Sequence, residues 1–250
     1  MRRKLFAAVA TTVAVAAALV ACGGESDSDV LKVGTEGTYP PFSYSEGGKV
    51  TGYDAEVIEA VAGKLGKKVE FVQTPWDAIF AGLEAKRFDI VANQVTINDE
   101  RKAKYDLSQP YTTSEGVIVT KVENNSIKTL ADLKGKKSAQ SATSNWSKVA
   151  ANAGAQVEAV EGFVQAIQLL QDGRVDATVN DTLAVAEYQK KTGDQSVKIA
   201  GTTGDTSKQA FAARKDSGVI GDVDKALGEL RADGTLKKIS EKYFGADVSN

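Results

Sequence analysis

The sequence predicts an α/β fold made of two similar lobes, and two observations carry that expectation. Strand-like and helix-like segments alternate from residue 31 onward, the pattern of a largely parallel sheet flanked by helices. A motif also recurs. Residues 83–93, LEAKRFDIVAN, match residues 170–180, LQDGRVDATVN, at Leu, Arg, Asp and Asn. Helix-to-strand turns favour these residue types anyway, so duplication of a whole lobe is an expectation for the structure to test.

The chain opens with MRRKLFAAVATTVAVAAALVAC. Its basic start, its apolar stretch from Leu5 to Val20 and its small residues before a cysteine read as a secretory signal. The stretch is short for a bilayer span of ~20 residues. Leu19-Val20-Ala21-Cys22 resembles the bacterial lipobox, in which signal cleavage leaves a lipid-modified cysteine at the new N-terminus. Cys22 is the single cysteine, so no intramolecular disulfide forms. GGESDSD (23–29) reads as a flexible tether, which favours lipidation over the rival readings of a plain membrane anchor or a secreted chain with an incidental cysteine.

LKVGTEG (31–37) then reads as a strand entering a turn, and the two prolines of TYPPFSY exclude a helix. In GYDAEVIEAVAGKLG, Val57, Val61 and Leu65, with Ile58 beside them, form a helical apolar stripe that Gly66 stops. VEFV (69–72) is expected as a short buried strand. Thr74 is placed to cap the next helix, with Pro75 in its first position and Asp77 returning the capping bond. That helix continues through Ile79, Phe80 and Leu83. Near the end, Val223, Leu227 and Leu230, then Leu236, Ile239 and Tyr243, give two helices around an Asp233-Gly234 turn.

Composition narrows the chemistry. A formal net charge of -2 without a dense basic patch argues against a nucleic-acid partner. The chain has no histidine, the commonest general base and metal ligand, and thiolate zinc sites are unavailable to one cysteine. GTTGDTSK (201–208) lacks the Gly-Lys-Ser/Thr ending of a phosphate loop, and GTEG (34–37) is too short for a dinucleotide fingerprint, so both read as turns. Carboxylate pairs stay open as acid and base, because sequence carries no distances.

In parallel α/β sheets, ligands sit beyond the carboxyl ends of the strands. Facing lobes would bring Glu36, Gln94 and Thr96 opposite Gln140, Thr143, Ser144 and Asp181. Such a cleft suits a zwitterion: a guanidinium grips a carboxylate, hydroxyls and helix-start N–H groups add donors, and Asp181 suits an ammonium. Tyr39 and Trp76 could pack the rest of the ligand. Each has a bland rival. An arginine within DERKAK (99–104) is ordinarily solvated, an aspartate after a strand is often a helix cap, and Tyr39 and Trp76 serve equally as core.

GTYPPFSY, GYDAEVIEAVAGKLG, the Trp76-Asp77 and Leu83 spacing, NQVTINDERKAKYDLSQPYTTS and DGTLKKISEKYFG, in this order, resemble the polar amino-acid-binding proteins of bacterial ABC importers. The likeness covers about residues 30 to 247 and is nearest the cystine-binding members. It implies a type II periplasmic-binding-protein-like fold of two lobes joined by two crossing segments. Residues 30–110 and 210–250 would form one lobe, 116–204 the other, and 111–115 and 205–209 the hinge. It further implies Arg101 on the ligand carboxylate, with Thr96 and the backbone at Gln94 assisting and Thr143 and Ser144 completing that site. Asp181 would take the ammonium, Tyr39 and Trp76 would sandwich the side chain, and Glu36 and Gln140 would vary with specificity. The family pattern usually has an aliphatic residue at Ala55, and often glycine at Gln94 and Ser144. The implied protein is a monomeric, extracytoplasmic, lipid-anchored transport component without a cofactor, partnered by importer membrane subunits. The rivals are a cyclohexadienyl or arogenate dehydratase-like enzyme on the same fold and an amino-acid sensor.

Overall fold

A computed structural model describes residues 29–250; the signal and lipobox readings, Cys22 included, lie outside the described residues. The first strand, β1 (Val30–Thr35), leads into a small antiparallel meander of β2 (Thr38–Tyr39), β3 (Ser43–Glu46) and β4 (Lys49–Thr51). Helix α1 (Tyr53–Lys64) follows, then β5 (Lys68–Gln73), α2 (Trp76–Glu84) and β6 (Ile90–Thr96). β1 pairs in parallel with both β5 and β6. The predicted stripe is the buried face of α1: Val57, Ile58 and Val61 are fully buried, and Gly66 ends the helix at φ 66.

After α3 (Asp99–Lys104) and β7 (Tyr105–Leu107), the chain enters the long strand β8 (Thr112–Lys121). A second α/β unit follows: β9 (Lys137–Gln140), α4 (Asn145–Asn152), β10 (Gln156–Ala159), α5 (Phe163–Gln171), β11 (Thr178–Asp181) and α6 (Thr182–Thr192). β9 and β10 pair in parallel. The chain returns through β12 (Val197–Arg214) and closes with α7 (Val219–Ala232) and α8 (Thr235–Phe244). Leu227, Leu230 and Leu236 of this helix pair share a core cluster with Val57 and Val61 of α1.

The principal sheet runs β11-β8-β12-β6-β1-β5, with β7 also on β12. β12 pairs antiparallel with β8 over its first part and with β6 near its end, so one strand is shared by both halves of a two-lobed α/β molecule. The sheet is therefore mixed: β5, β1 and β6 run parallel, β12, β8, β11 and β7 pair antiparallel, and the parallel pair β9–β10 of the second unit forms a separate two-stranded sheet.

Three local expectations are corrected. β5 pairs only with β1, so it is the sheet's edge, and VEFV is half-exposed, not buried. Thr74 caps nothing: α2 starts after Pro75 with no side-chain cap, Thr74 Oγ1 turns to the Val72 carbonyl at 3.4 Å, and Asp77 is engaged elsewhere. GTTGDTSK is not a turn but part of β12. Its glycines sit at and beside the register shift between Thr202 and Thr206, where a bulge tolerates them.

Candidate functional site

The strand ends and helix starts that line the gap between the halves enclose a cavity of about 60 Å³. Its wall includes Glu36, Tyr39, Trp76, Gln94 and Thr96 from one half, and Gln140, Ser144 and Asp181 from the other. Eight of the ten residues expected from sequence thus meet there. Arg101 and Thr143 do not line it.

Arg101 is nonetheless buried, only 7% exposed, whereas its neighbours Lys102 and Lys104 are solvated. Its backbone N–H is held by Asn98, the cap of α3, at 2.9 Å. Its guanidinium lies 5.2 Å from the Trp76 ring centroid and 5.6 Å from that of Phe80, and Nη1 donates to the Thr96 carbonyl at 2.8 Å. The group therefore stands one layer behind the wall. No described residue forms an ion pair with it, and burial pulls its pKa down to about 10.

Thr143 sits at the rim. Its N–H and hydroxyl both donate to Asp77 Oδ1 of the opposite half, at 2.9 and 2.6 Å. A carboxylate of the protein thus occupies the two donors that the sequence reading gave to a ligand carboxylate. Two further contacts cross the gap: Tyr39 Oη donates to Asn180 Oδ1 at 2.7 Å, and Lys148 pairs with Glu100.

Asp181 is 3% exposed and is both things that the sequence allowed. Oδ1 caps α6 by accepting from the Leu183 N–H at 2.9 Å, while Oδ2 accepts from Ser114 Oγ and, at 3.3 Å, from Gln209 Nε2. No cation pairs with it among the described residues, and burial pushes its pKa up to about 6. Ser144 caps α4 by accepting from the Ser147 N–H at 3.0 Å. Gln140 Nε2 donates to Ser138 Oγ at 3.1 Å.

Glu36 receives 2.5 Å from Asn93 Nδ2, and its own N–H donates to Asn93 Oδ1 at 2.8 Å. Burial outweighs that bond and raises its pKa to about 7. Gln94 has φ 49, a left-handed strain that a glycine would avoid. The strain is sustained by Asp54, whose carboxylate accepts from the Gln94 N–H at 2.7 Å and from Nε2 at 2.6 Å. The Gln94 N–H is consequently engaged with Asp54.

Sequence reading missed Asp54, in the first turn of α1, fully buried and with its pKa raised to about 7 by that burial. It also missed Gln209, Trp146 and Phe163 on the wall. Its signal in sequence is weak, since an aspartate in the first turn of a helix is favoured by the helix dipole alone. Three buried polar atoms of wall residues lack a hydrogen-bond partner: Trp76 Nε1, Gln94 Oε1 and Gln209 Oε1. One donor and two acceptors are thus left without a protein partner on the cavity wall.

A protein-family model described as bacterial extracellular solute-binding proteins, family 3, matches residues 31–246. The L-cystine-binding protein TcyA of Bacillus subtilis is 54% identical, over 93% of this chain and 94% of its own. An ancestral arginine-binding protein bound to arginine, 41% identical, superposes with a TM-score of 0.81 over 87% of this chain and 99% of its own. The L-cystine solute receptor of Neisseria gonorrhoeae, in its unliganded open conformation, is 47% identical but reaches 0.60, over 88% and 95%. TM-score and identity rank these two structures oppositely.

Proposed function

The chain belongs to the bacterial extracellular solute-binding proteins of family 3, and from that premise we propose that it captures cystine between its two lobes and hands it to an ABC importer. One observation carries the ligand class. Two buried charges of opposite sign, Arg101 in one half and Asp181 in the other, have no ion-pair partner among the described residues. That is the charge complement of a zwitterion, and burying either charge is costly until it is paired.

In this reading Asp181 takes the α-ammonium, helped by the free Oε1 acceptors of Gln94 and Gln209. Arg101 turns its remaining N–H groups from behind Trp76 to the carboxylate, with Ser144, Thr96 and, once released from Asp77, Thr143 around it. Tyr39 and Trp76 flank the side chain, and Glu36 and Gln140 set specificity. The hinge is read as 111–115 and 205–209, which lie side by side as paired stretches of β8 and β12. A ligand favours the closed form only by touching both lobes better there, so the Arg101 and Asp181 contacts are the coupling pair.

Capture is its whole task in this reading, without catalysis, and the described residues hold no group of three metal-ligating acidic, His or Cys side chains. Lipid on Cys22, as multiple chains, would hold the monomeric protein at the membrane beside the importer. No described helix is long and apolar enough to cross a membrane. Calorimetric titration of the mature protein against cystine, glutamine, histidine, arginine and glutamate tests the proposal. Cystine should bind tightest. Tight binding of another of these without a response to cystine rejects the assignment.

A further inference from the structure

Most residues of the two crossing segments are tied to one half of the molecule or the other, which leaves few of them free to bend. Tyr111 and Thr112 go with the first half: Tyr53 Oη donates to the Tyr111 carbonyl at 2.7 Å, and Gln94 Nε2 to Thr112 Oγ1 at 3.2 Å. Glu115 goes with the second, its carbonyl accepting from Thr182 Oγ1 at 2.7 Å, and β11 pairs with β8 from Gly116 onward. On β12 the Lys208 carbonyl accepts from the Ile97 N–H of the first half at 2.8 Å, while Thr202 pairs with Val117. Thr113 lies between these owners, and the chain that follows α8 claims it.

Gly245, at φ 71, ends α8 and turns the chain back. Ser240 of α8 then holds the returning stretch, its Oγ donating to the Ala246 carbonyl at 2.8 Å and accepting from the Val248 N–H at 2.7 Å. Asp247 folds the stretch on itself by accepting from the N–H and hydroxyl of Ser249, at 3.0 and 2.7 Å. So held, it meets the first crossing at three points. The Val248 carbonyl accepts from the Thr113 N–H at 2.7 Å, and a main-chain oxygen of Asn250 accepts from Thr113 Oγ1 at 2.6 Å. Arg231 of α7 joins the two chains, with Nη2 donating to the Pro110 and Ser249 carbonyls at 2.7 and 3.1 Å. Ser240 and Ser249 are buried, so water competes little for these bonds.

We infer that residues 246–250 are a clasp on the hinge: they bind the first crossing to the first half as far as Thr113, so that the halves turn about Ser114 on β8 and about residues 203–206 on β12. At the second place the register shift between Thr202 and Thr206 already interrupts the ladder. A hinge is a few residues that absorb the φ/ψ change, and a main-chain group held by a hydrogen bond must break it to take part. The clasp therefore shortens the stretch 111–115 to its middle and limits how far the ligand-free protein opens. The inference rests on the proposed closure of two lobes and is independent of which amino acid they capture.

The test compares the ligand-free wild type with Arg231→Met and Ser240→Ala by amide hydrogen exchange and small-angle scattering. Ser240 touches the returning stretch and not β8, so any effect of its loss on the hinge travels through the clasp. Exchange at the Thr113 amide should quicken about three- to tenfold in both variants, and the radius of gyration should grow in both. Ile79→Val, in the separate core cluster beneath α2, is the control for general destabilisation. It should lower Tm and leave both readings at their wild-type values. If it moves them as far as Ser240→Ala does, the effect is general and the inference falls. Equal radii in all variants, whatever the exchange shows, also overturn it, because the stretch then only covers a strand edge. Both readings are taken without ligand, so a failure of cystine to bind rejects the ligand assignment alone.

Discussion

The stretches Leu83–Asn93 and Leu170–Asn180 share one frame and finish differently. At Lys86 and Gly173 the chain takes the same left-handed step, φ 59 and 70. The next N–H, on Arg87 and Arg174, returns to the helix at 3.0 and 2.9 Å. Asp89 and Asp176 then tie each strand to the first strand of its own half, donating to the Lys32 and Lys137 carbonyls and accepting their N–H groups. At the cleft end the copies part. Asn93 serves its own half, clamping Glu36, while the Asn180 carbonyl oxygen accepts from the Asp181 N–H and from Tyr39 across the gap. The comparison teaches that what the two stretches share is the scaffold at the far end of each strand. At the near end the halves differ in what they present: Arg101 is buried behind the wall in one, and Asp181 caps α6 at the wall in the other.

Removing that charge asymmetry should have the largest effects. Arg101→Ala is expected to cost ~3 kcal/mol or more of ligand affinity by calorimetry, because it leaves a buried carboxylate unpaired. An unchanged dissociation constant would make Arg101 only a support beneath Trp76. Asp181→Asn should cost about 2 kcal/mol, the value of a hydrogen bond to a charged group.

The wild type should also show a pH dependence whose sign follows from burial. Asp181, Glu36 and Asp54 have pKa values raised to about 6, 7 and 7 in the ligand-free fold. The fold thus retains protons that the unfolded chain releases near pH ~4, so their contribution to stability is present at low pH and is lost as pH rises from about 4 to about 7. An ammonium ligand needs Asp181 ionised, so its affinity should fall as pH drops below about 6 and level off above. The ligand-induced rise in Tm should accordingly be larger at pH 8 than at pH 5, and Asp181→Asn should flatten that difference.

A smaller effect concerns the contacts across the gap. Asp77→Ala removes the acceptor for Thr143 and should cost the ligand-free closed form about 1 kcal/mol. Small-angle scattering would then report a larger radius for the ligand-free variant, and equal radii would show that the contact holds nothing. Smallest of all is an exchange within the shared frame. Gly173→Lys should destabilise by about 1 kcal/mol, and Lys86→Gly should stabilise by less, because glycine loses more freedom on folding. Denaturant midpoints that move together, not oppositely, would mean that the two turns are not equivalent.

The frame was legible because it is local. The stripe Val57-Ile58-Val61, the stop at Gly66 and the Asp233-Gly234 turn depend on residues near in sequence, and the repeat itself showed as spelling. What sequence misread depends on distant partners. Thr74 and Asp77 have the composition of a cap, yet Asp77 is claimed by Thr143 across the gap. GTTGDTSK has the glycines of a turn, but β8 offers it a ladder. Asp54 is unremarkable until β6 brings Gln94 beside it. Within DERKAK the sequence separated Arg101 from its lysines only by resemblance. The structure separates them by burial, a consequence of Trp76 and Phe80, which stand on another helix.

Strand β12 also fixes an order of events. Synthesis begins at the N-terminus, so β6 is made with one edge unpaired, and the residues that cover it, Gln209 to Ala213, are made only after the whole second unit. Until then a buried-type strand edge carrying Val91 and Val95 is open to wrong pairing, and α1 waits for α7 and α8 to complete its packing. The first lobe therefore cannot be completed before residue 213 is made, and a chain released before residue 209 would leave that edge of β6 without its β12 partner.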